Sequence, residues 1–291
     1  MNQSSHPQFE PGFVVLHGNR TEDLRDLLTG IYKAQPLPPL WSEVILVQSN
    51  GMKHWLELAL ADDDALGICA ATRLELPSKY MWQIYRNVLG ADQVPKHMPF
   101  DKDSLIWRLY RMLPELVLSK SVYQPLQHYL KKATDGRKLY QLATQIADVL
   151  DAYQNYRADW LTDWSNSNDV LRDDKQQNVT LSTDLLWQAQ LWRDISNDVG
   201  TEWGNASRSS VHQKFMATMP LIAQEYQKSK KLPYGIPPRI TVFGVSSMPM
   251  QMVEALAELG RVCQVFVLVQ NPCQHYWGDL IEDKLRDLFT I

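Results

Sequence analysis

Short apolar runs, each followed by a turn and an amphipathic segment, limit the possible folds of this chain more than any other feature. In the first unit, the run at 13–17 (FVVLH) precedes a segment with helical spacing at 21–31. In the second, the run at 44–47 (VILV) precedes a similar segment at 52–60. Repeated strand–helix units are typical of a parallel sheet with helices on its faces, so we expect an α/β fold. The Thr21 hydroxyl is predicted to cap the first helix.

A long region with helical spacing separates these units from a second β-rich part of the chain. Between about residues 79 and 227, apolar residues recur at intervals of three and four, which indicates amphipathic helices. Strand-like runs return at 240–245 (ITVFGV) and 265–269 (VFVLV), with a predicted helix at 249–259 between them. The α/β pattern is therefore interrupted by a helical block and then resumed.

This order predicts that one domain is inserted into another. The α/β domain consists of residues 12–78 and 228–291 in this prediction, and the inserted all-helical subdomain of residues 79–227. A chain of 291 residues is long enough for two such interlocked domains. Residues 1–11 contain SHPQFE, which resembles an affinity tag, and are predicted to be a disordered or tag-like N-terminus.

Composition excludes several classes of protein. With 45% hydrophobic and 21% charged residues, the chain is neither disordered nor fibrous, and no apolar run approaches the roughly 20 residues of a membrane helix. Three scattered cysteines cannot form a disulfide framework, and the N-terminus lacks the apolar core of a signal peptide. We therefore expect a cytoplasmic protein. The formal net charge of −4 provides no global basic field, so any contact with DNA has to be local.

Catalytic motifs are incomplete wherever the predicted topology would allow one. The turn from Gly18 to Thr21 lacks the second glycine and the lysine of a phosphate-binding loop, and no Gly-Lys dipeptide occurs in the chain. No acidic residue follows the strand at 240–245 to hold magnesium, and Ser246 lacks the second glycine of a nucleophile elbow. The sequence at 173–175 (DDK) resembles a nuclease set but lies in a polar, loop-like stretch. We expect a non-catalytic segment with no cofactor or metal site of its own.

Several polar and aromatic side chains have the chemistry to contact nucleobases. Amide side chains can bond an adenine edge in a bidentate manner, rings can stack on bases, and arginine can bond bases or phosphates. Composition alone favours a plainer interpretation, in which polar residues after a strand form turns and tryptophans fill cores. The candidates at this level are Gln48, Asn50, His54, Trp82, Tyr156, Arg157 and Arg208.

Three segments carry a family resemblance: VILVQSNGMKHWLELAL at 44–60, RKLYQLATQIADVLDAYQNYRADWL at 137–161 and NPCQHYWGDL at 271–280. They resemble the RecC family, the gamma chain of the exodeoxyribonuclease V helicase–nuclease RecBCD. The resemblance runs from about residue 13 to 280 in the order of the family. Chains of that family are several times longer, so the match is to their N-terminal portion.

The resemblance implies a fold and a role for the chain. The fold would be that of a superfamily 1 helicase with a P-loop-like parallel sheet, inactive as a motor, and with a helical subdomain inserted in it. The implied role is strand separation and scanning of the 3′-ended single strand for a Chi-like sequence in double-strand break repair and recombination. The implied protein partners are RecB-like and RecD-like subunits, which would bind ATP and magnesium. DNA is the other implied partner, and no membrane is involved.

The resemblance also implies which residues contact DNA. Asn50, His54 and Val149 differ from the family pattern, which has threonine, glutamine and leucine at these positions, and Arg208 matches across a gap. Asp148 and Asp151 are three residues apart and thus on one helix face, where carboxylates can accept hydrogen bonds from cytosine or guanine amino groups. The predicted DNA-binding residues are Gln48, Asn50, His54, Leu76, Trp82, Asp148, Val149, Asp151, Arg157 and Arg208.

Two other functions stay open at the level of sequence. The chain could be a structural scaffold that only assembles the partner helicase and nuclease chains. It could also be an ATPase or nuclease that acts alone, although the missing motifs oppose that hypothesis. The DNA word that is recognised is not fixed by the residues.

Overall fold

The computed structural model describes residues 10–131, 136–172, 177–200, 203–204 and 206–271. The strands are β1 (Gly12–Gly18), β2 (Glu43–Val47), β3 (Thr72–Glu75), β4 (Val170–Arg172), β5 (Asn178–Thr180), β6 (Arg239–Phe243) and β7 (Gln264–Gln270). The helices are α1 (Thr21–Ala34), α2 (Asn50–Ala61), α3 (Pro77–Leu89), α4 (Lys102–Ser119), α5 (Gln124–Leu130), α6 (Gly136–Tyr156), α7 (Ala158–Ser165), α8 (Leu186–Val199), α9 (Arg208–Ser229) and α10 (Met250–Leu259).

The main sheet has five parallel strands in the order β1-β7-β6-β2-β3. The expectation of an α/β fold with a parallel sheet is therefore confirmed, and the four apolar runs form β1, β2, β6 and β7. Every residue of β2 and β6 is buried, because helices cover both faces of the sheet at its centre. Strand β3 and the antiparallel pair β4–β5 were not predicted from the sequence.

Apolar side chains on the two faces of the sheet belong to two different cores. On one face, Ile45 and Val47 pack with α1 and α2. On the other face, Val44 and Leu46 pack with α3, α9 and α10. Because side chains alternate along a strand, consecutive residues of β2 supply both cores.

A third core lies entirely among the helices α4 to α8. It begins at Phe100 and ends at Ile195, with Trp164 and Trp192 completely buried in it. Helices α3 and α9 pack against the sheet instead, although most of their residues fall within the predicted subdomain of residues 79–227. The division into two domains stays a prediction. No helix in the described ranges is long and apolar enough to cross a membrane.

The start of α1 differs from the sequence prediction. Thr21 is the first residue of the helix, and Arg20 occupies the N-cap position without a side-chain hydrogen bond. Glu22 and Asp23 still lie in the first turn, where their charges favour the positive end of the helix dipole. The helix therefore begins where predicted but is not capped by the Thr21 hydroxyl.

A buried arginine joins the amino ends of the two central strands. Arg239, at the start of β6, is fully buried, and its Nη1 lies 2.9 Å from Oε1 of Glu43, at the start of β2. Its Nη2 donates to the carbonyl of Gln35 at 2.9 Å and its Nε donates to Gln264 at 3.0 Å. Burial raises the pKa of the Glu43 carboxyl, and the Arg239 guanidinium opposes that rise. The pair connects residues 196 positions apart and fixes how the two parts of the sheet meet.

We predict that Arg239→Met lowers the free energy of unfolding by about 3–5 kcal/mol at pH 8, because the Glu43 carboxylate stays buried without its partner. The double variant with Glu43→Leu removes both charges and should recover part of this loss. Urea denaturation followed by circular dichroism measures the effect. The control is Arg261→Met, which breaks an exposed ion pair with Glu258 and should cost under about 1 kcal/mol. If Arg239→Met and Arg261→Met lowered the free energy of unfolding equally, the buried pair would not have the structural importance assigned to it.

Candidate nucleic-acid interface

Three of the predicted residues lie at the carboxyl edge of the sheet, in the connection from β2 to α2. Gln48 is exposed directly after β2, and its Nε2 lies 3.5 Å from Oγ of Ser246, which follows β6. Ser49 is the N-cap residue of α2, and its Oγ accepts a hydrogen bond from the backbone N–H of Met52. Asn50 is therefore the first residue of the helix, and it is exposed. His54 lies one turn further on, with 78% of its side chain exposed. The three side chains face solvent where ligands bind in open parallel sheets.

A second group of polar side chains surrounds a small cavity between α3, α6, α9 and α10. Arg208 is the first residue of α9, and its Nη1 lies 2.9 Å from Oδ1 of Asn155 and 3.2 Å from Oδ1 of Asp151. Asn155 also donates from Nδ2 to the Asp151 carbonyl at 3.0 Å. Two predicted residues that are far apart in the sequence, Asp151 and Arg208, are therefore an ion pair. The cavity is lined by Ser78, Met81, Trp82, Tyr85, Met98, Asn155, Arg208, Pro249, Gln251 and Met252.

Trp82 lies on the wall of this cavity but is mostly covered by protein. Its side chain belongs to the core on the sheet, the residue is only 4% exposed, and the indole N–H donates to the Pro95 carbonyl at 2.9 Å. With so little of its surface exposed, the ring has no room for a base to stack on it in this conformation. Leu76, the N-cap residue of α3, is exposed five residues before the cavity residue Met81.

Asp148 and Val149 lie on different flanks of α6. Asp148 is exposed and forms an ion pair with Lys102 at the start of α4, which raises the pKa of Lys102 through the hydrogen bond and the charge of the carboxylate. Val149 lines an apolar cavity of about 310 Å³ in the helical part, together with Tyr153 and Trp187. The predicted common face of Asp148 and Asp151 agrees with helical spacing, and each carboxylate has its own cationic partner.

Arg157 is bound within the helical part of the chain. Its guanidinium lies 3.7 Å from the ring centre of Trp160, its Nη2 is 3.2 Å from Oδ2 of Asp159, and it donates to the Arg172 carbonyl. These contacts occupy several N–H donors of the guanidinium, and the Trp160 ring covers one of its faces. The neighbouring Tyr156 ring is 67% exposed.

The structure thus brings some predicted residues together and keeps others apart. Gln48, Asn50 and His54 share one connection, while Trp82 and Arg208 line one cavity and Asp151 is paired with Arg208. Asp148, Val149 and Arg157 each contact a different neighbour. Asn155 was not predicted, although its position four residues after Asp151 on α6 was a usable signal.

A mostly buried chain of hydrogen bonds, which the sequence did not suggest, adjoins this cavity through Tyr85. The Tyr85 hydroxyl is 3.1 Å from Nδ1 of His212, and Nε2 of His212 is 3.1 Å from Oε2 of Glu254. Since the Glu254 carboxylate accepts, Nε2 carries the proton and Nδ1 accepts from Tyr85. Burial lowers the pKa of His212, and the Glu254 carboxylate opposes that shift. The chain connects α3, α9 and α10.

No group of His, Cys, Asp and Glu that could hold a metal ion occurs among the residues the structure describes. The nuclease-like sequence Asp173-Asp174-Lys175 lies outside the described residues, as does most of the segment at 271–280. The absence of a cofactor from the chain stays a prediction.

We predict that the free energy of unfolding falls as the pH drops below about 6.5, the ordinary pKa of histidine. The folded protein resists protonation of His212, so the unfolded state binds more protons in this range and stability is lost as the pH falls. Urea denaturation between pH 8 and pH 5 measures this slope. His212→Gln should reduce it, whereas His54→Gln on the exposed face of α2 should keep the slope of the wild type. An unchanged slope in His212→Gln would show that this histidine is not the cause.

Comparison with known proteins shows the family. The family model described as "RecC, N-terminal domain" matches residues 13–288. The RecBCD enzyme subunit RecC of Haemophilus influenzae is 34% identical over 287 residues, which cover 94% of this chain and 24% of that protein. The same subunit of Escherichia coli is 34% identical over 91% of this chain and 22% of its own length, and that of Mycolicibacterium smegmatis is 23% identical over 93% and 22%.

The chain spans about a quarter of the length of these relatives. The match extends over nearly all of the sheet and helices described above, and it agrees with the resemblance found in the sequence. The chain therefore belongs to the RecC family and corresponds to the N-terminal domain of that family.

Proposed function

We propose that this chain is the N-terminal part of a non-catalytic DNA-channel subunit in an ATP-dependent helicase–nuclease of double-strand break repair and recombination. Its relatives are named as subunits of the RecBCD enzyme, which supports membership in such a complex. The proposed partners are a RecB-like and a RecD-like chain, which bind ATP and magnesium, and the DNA itself. The proposed location is the cytoplasm. In this proposal the sheet is an inactive motor domain, into which the helical part is inserted.

The proposed task of this segment is to read the 3′-ended single strand for a Chi-like sequence after the duplex has been split. The observation that carries the proposal is that Trp82 on α3 and Arg208 on α9 line one cavity, with Asp151 on α6 paired to Arg208. Ser246, the neighbour of Gln48, is three residues before Pro249 on the cavity wall, so the sheet edge lies close to the cavity. Carboxylates repel phosphates and accept hydrogen bonds from bases, so this surface suits base reading better than binding of the backbone.

A structural scaffold is the alternative, and specific contacts support it at two positions. Arg157 is held by Trp160 and Asp159, and Trp82 is packed in the core, so each has a structural task in this conformation. A purely structural chain would tolerate changes at the exposed residues Gln48 and Asn50 without altering how DNA is recognised. The two hypotheses therefore differ at the sheet edge.

We expect the isolated chain neither to hydrolyse ATP nor to cut DNA. The turn from Gly18 to Thr21 lacks the lysine and second glycine of a phosphate-binding loop, and a leucine side chain, that of Leu24, lies against the Gly18 backbone. Phosphate release and cleavage of linear duplex DNA with magnesium are the measurements. ATP hydrolysis that co-purifies with the chain and is abolished by Thr21→Ala would contradict the proposal.

Gln48→Ala and Asp151→Asn should each weaken sequence-dependent pausing of the complex reconstituted with both partner chains. One good bidentate base contact contributes about 1–3 kcal/mol, so we expect recognition to fall roughly 5- to 150-fold, with unwinding almost unchanged. The measurement compares product lengths from degradation of linear duplex DNA with unwinding rates. Gln227→Ala, on an exposed part of α9, is the matched amide control. Normal pausing in both variants would contradict the base-reading role, and loss of unwinding in both would favour the scaffold.

A further inference from the structure

The cavity between α3, α6, α9 and α10 contains one long polar side chain that the structure leaves unused. Trp82 donates to the Pro95 carbonyl, Arg208 is bonded to Asn155, and Tyr85 is bonded to His212. The amide of Gln251, by contrast, makes no hydrogen bond within the part of the chain that the structure describes. The Gln251 side chain is half-buried, and its amide can bind a ligand without first breaking a hydrogen bond to another part of the protein.

The position of Gln251 is fixed by the helix that carries it. It is the second residue of α10, whose first turn begins at Pro249, and its neighbour Met252 donates from its backbone N–H to the Pro249 carbonyl at 2.9 Å. Ala255 and Leu256 anchor the same helix in the core on the sheet. Gln251 therefore projects from a rigid element, which is the arrangement that a recognition residue requires.

The buried chain of Tyr85, His212 and Glu254 sets the relative position of three cavity residues. Tyr85 follows Trp82 by three residues on α3, and His212 follows Arg208 by four on α9. Glu254 follows Gln251 by three on α10. Residues three or four apart on a helix lie on the same face, so each member of the chain lies one turn from a residue of the cavity wall, and Tyr85 is itself part of that wall. The hydrogen bonds that join the three helices thereby hold Trp82, Arg208 and Gln251 around one point.

From this arrangement we propose that Gln251 contacts a nucleobase of the single strand and is a specificity-determining residue of the base-reading surface. The proposal rests on the proposed function and extends it to a residue that the family resemblance does not supply. A glutamine amide presents a donor beside an acceptor, which matches the N6 and N7 edge of adenine. Gln251 and Arg208 then read neighbouring positions at the mouth of the cavity, while Asn155 orients the guanidinium of Arg208.

The test uses the complex reconstituted with both partner chains and linear duplex DNA that carries a randomised segment. Sequencing of the product ends identifies the word at which degradation changes. Gln251→Ala should reduce recognition roughly 5- to 150-fold through loss of preference at a single position, with unwinding almost unchanged. Gln251→Glu should shift that position towards cytosine, whose N4 donates to a carboxylate. Gln227→Ala, an exposed amide elsewhere on the surface, should give the word of the wild type.

The outcomes separate this inference from the function on which it rests. If Gln48→Ala changes the word and Gln251→Ala does not, the assignment of Gln251 is overturned and the base-reading function stands. If neither variant changes the word, or if the wild-type complex shows no preferred word, the function fails and the assignment of Gln251 fails with it. Loss of unwinding in Gln251→Ala without a change of word also overturns the assignment, because it shows a structural role.

Discussion

The buried ion pair between Arg239 and Glu43 is the contact on which the arrangement of the molecule depends. It joins the amino ends of β6 and β2, which belong to parts of the chain separated by the whole helical region. With the amino ends fixed, parallel pairing carries the register to the carboxyl ends, where Gln48 and Ser246 become neighbours. The candidate interface is therefore positioned by a salt bridge at the opposite edge of the sheet.

Much of the sheet could be predicted because its central strands are buried on both faces. A strand such as β2 (EVILV) needs apolar side chains in both directions, and this leaves a continuous apolar run in the sequence. The edge strand β3 (TRLE) buries only Leu74 and has polar neighbours, so its sequence carries no comparable signal. Helical spacing predicted that α3 and α9 exist, but periodicity shows only that a helix has an apolar face and not which surface covers it.

The candidate site was less predictable than the fold, for reasons that differ between residues. Gln48 could be assigned to the sheet edge because a strand end and a turn are local features. The pairing of Asp151 with Arg208 joins two helices across a long stretch of sequence and has no local signature. Trp82 shows the limit of residue chemistry, since an aromatic ring suits stacking and packing equally well and here it packs. The Tyr85–His212–Glu254 chain was missed because its members are ordinary residues until three helices converge.

The helical core between Phe100 and Ile195 also has a consequence for how the chain folds. Bringing β2 to β6 closes a very long loop, and the entropic cost of closure rises with loop length, by about 0.6 kcal/mol for each doubling. Contacts among α4 to α8 are closer in sequence, so they can form before the sheet is complete. A helical core that has already collapsed shortens the flexible part of that loop. We therefore expect the helical core to act as a compact spacer, which leaves less free chain to be ordered when β2 meets β6.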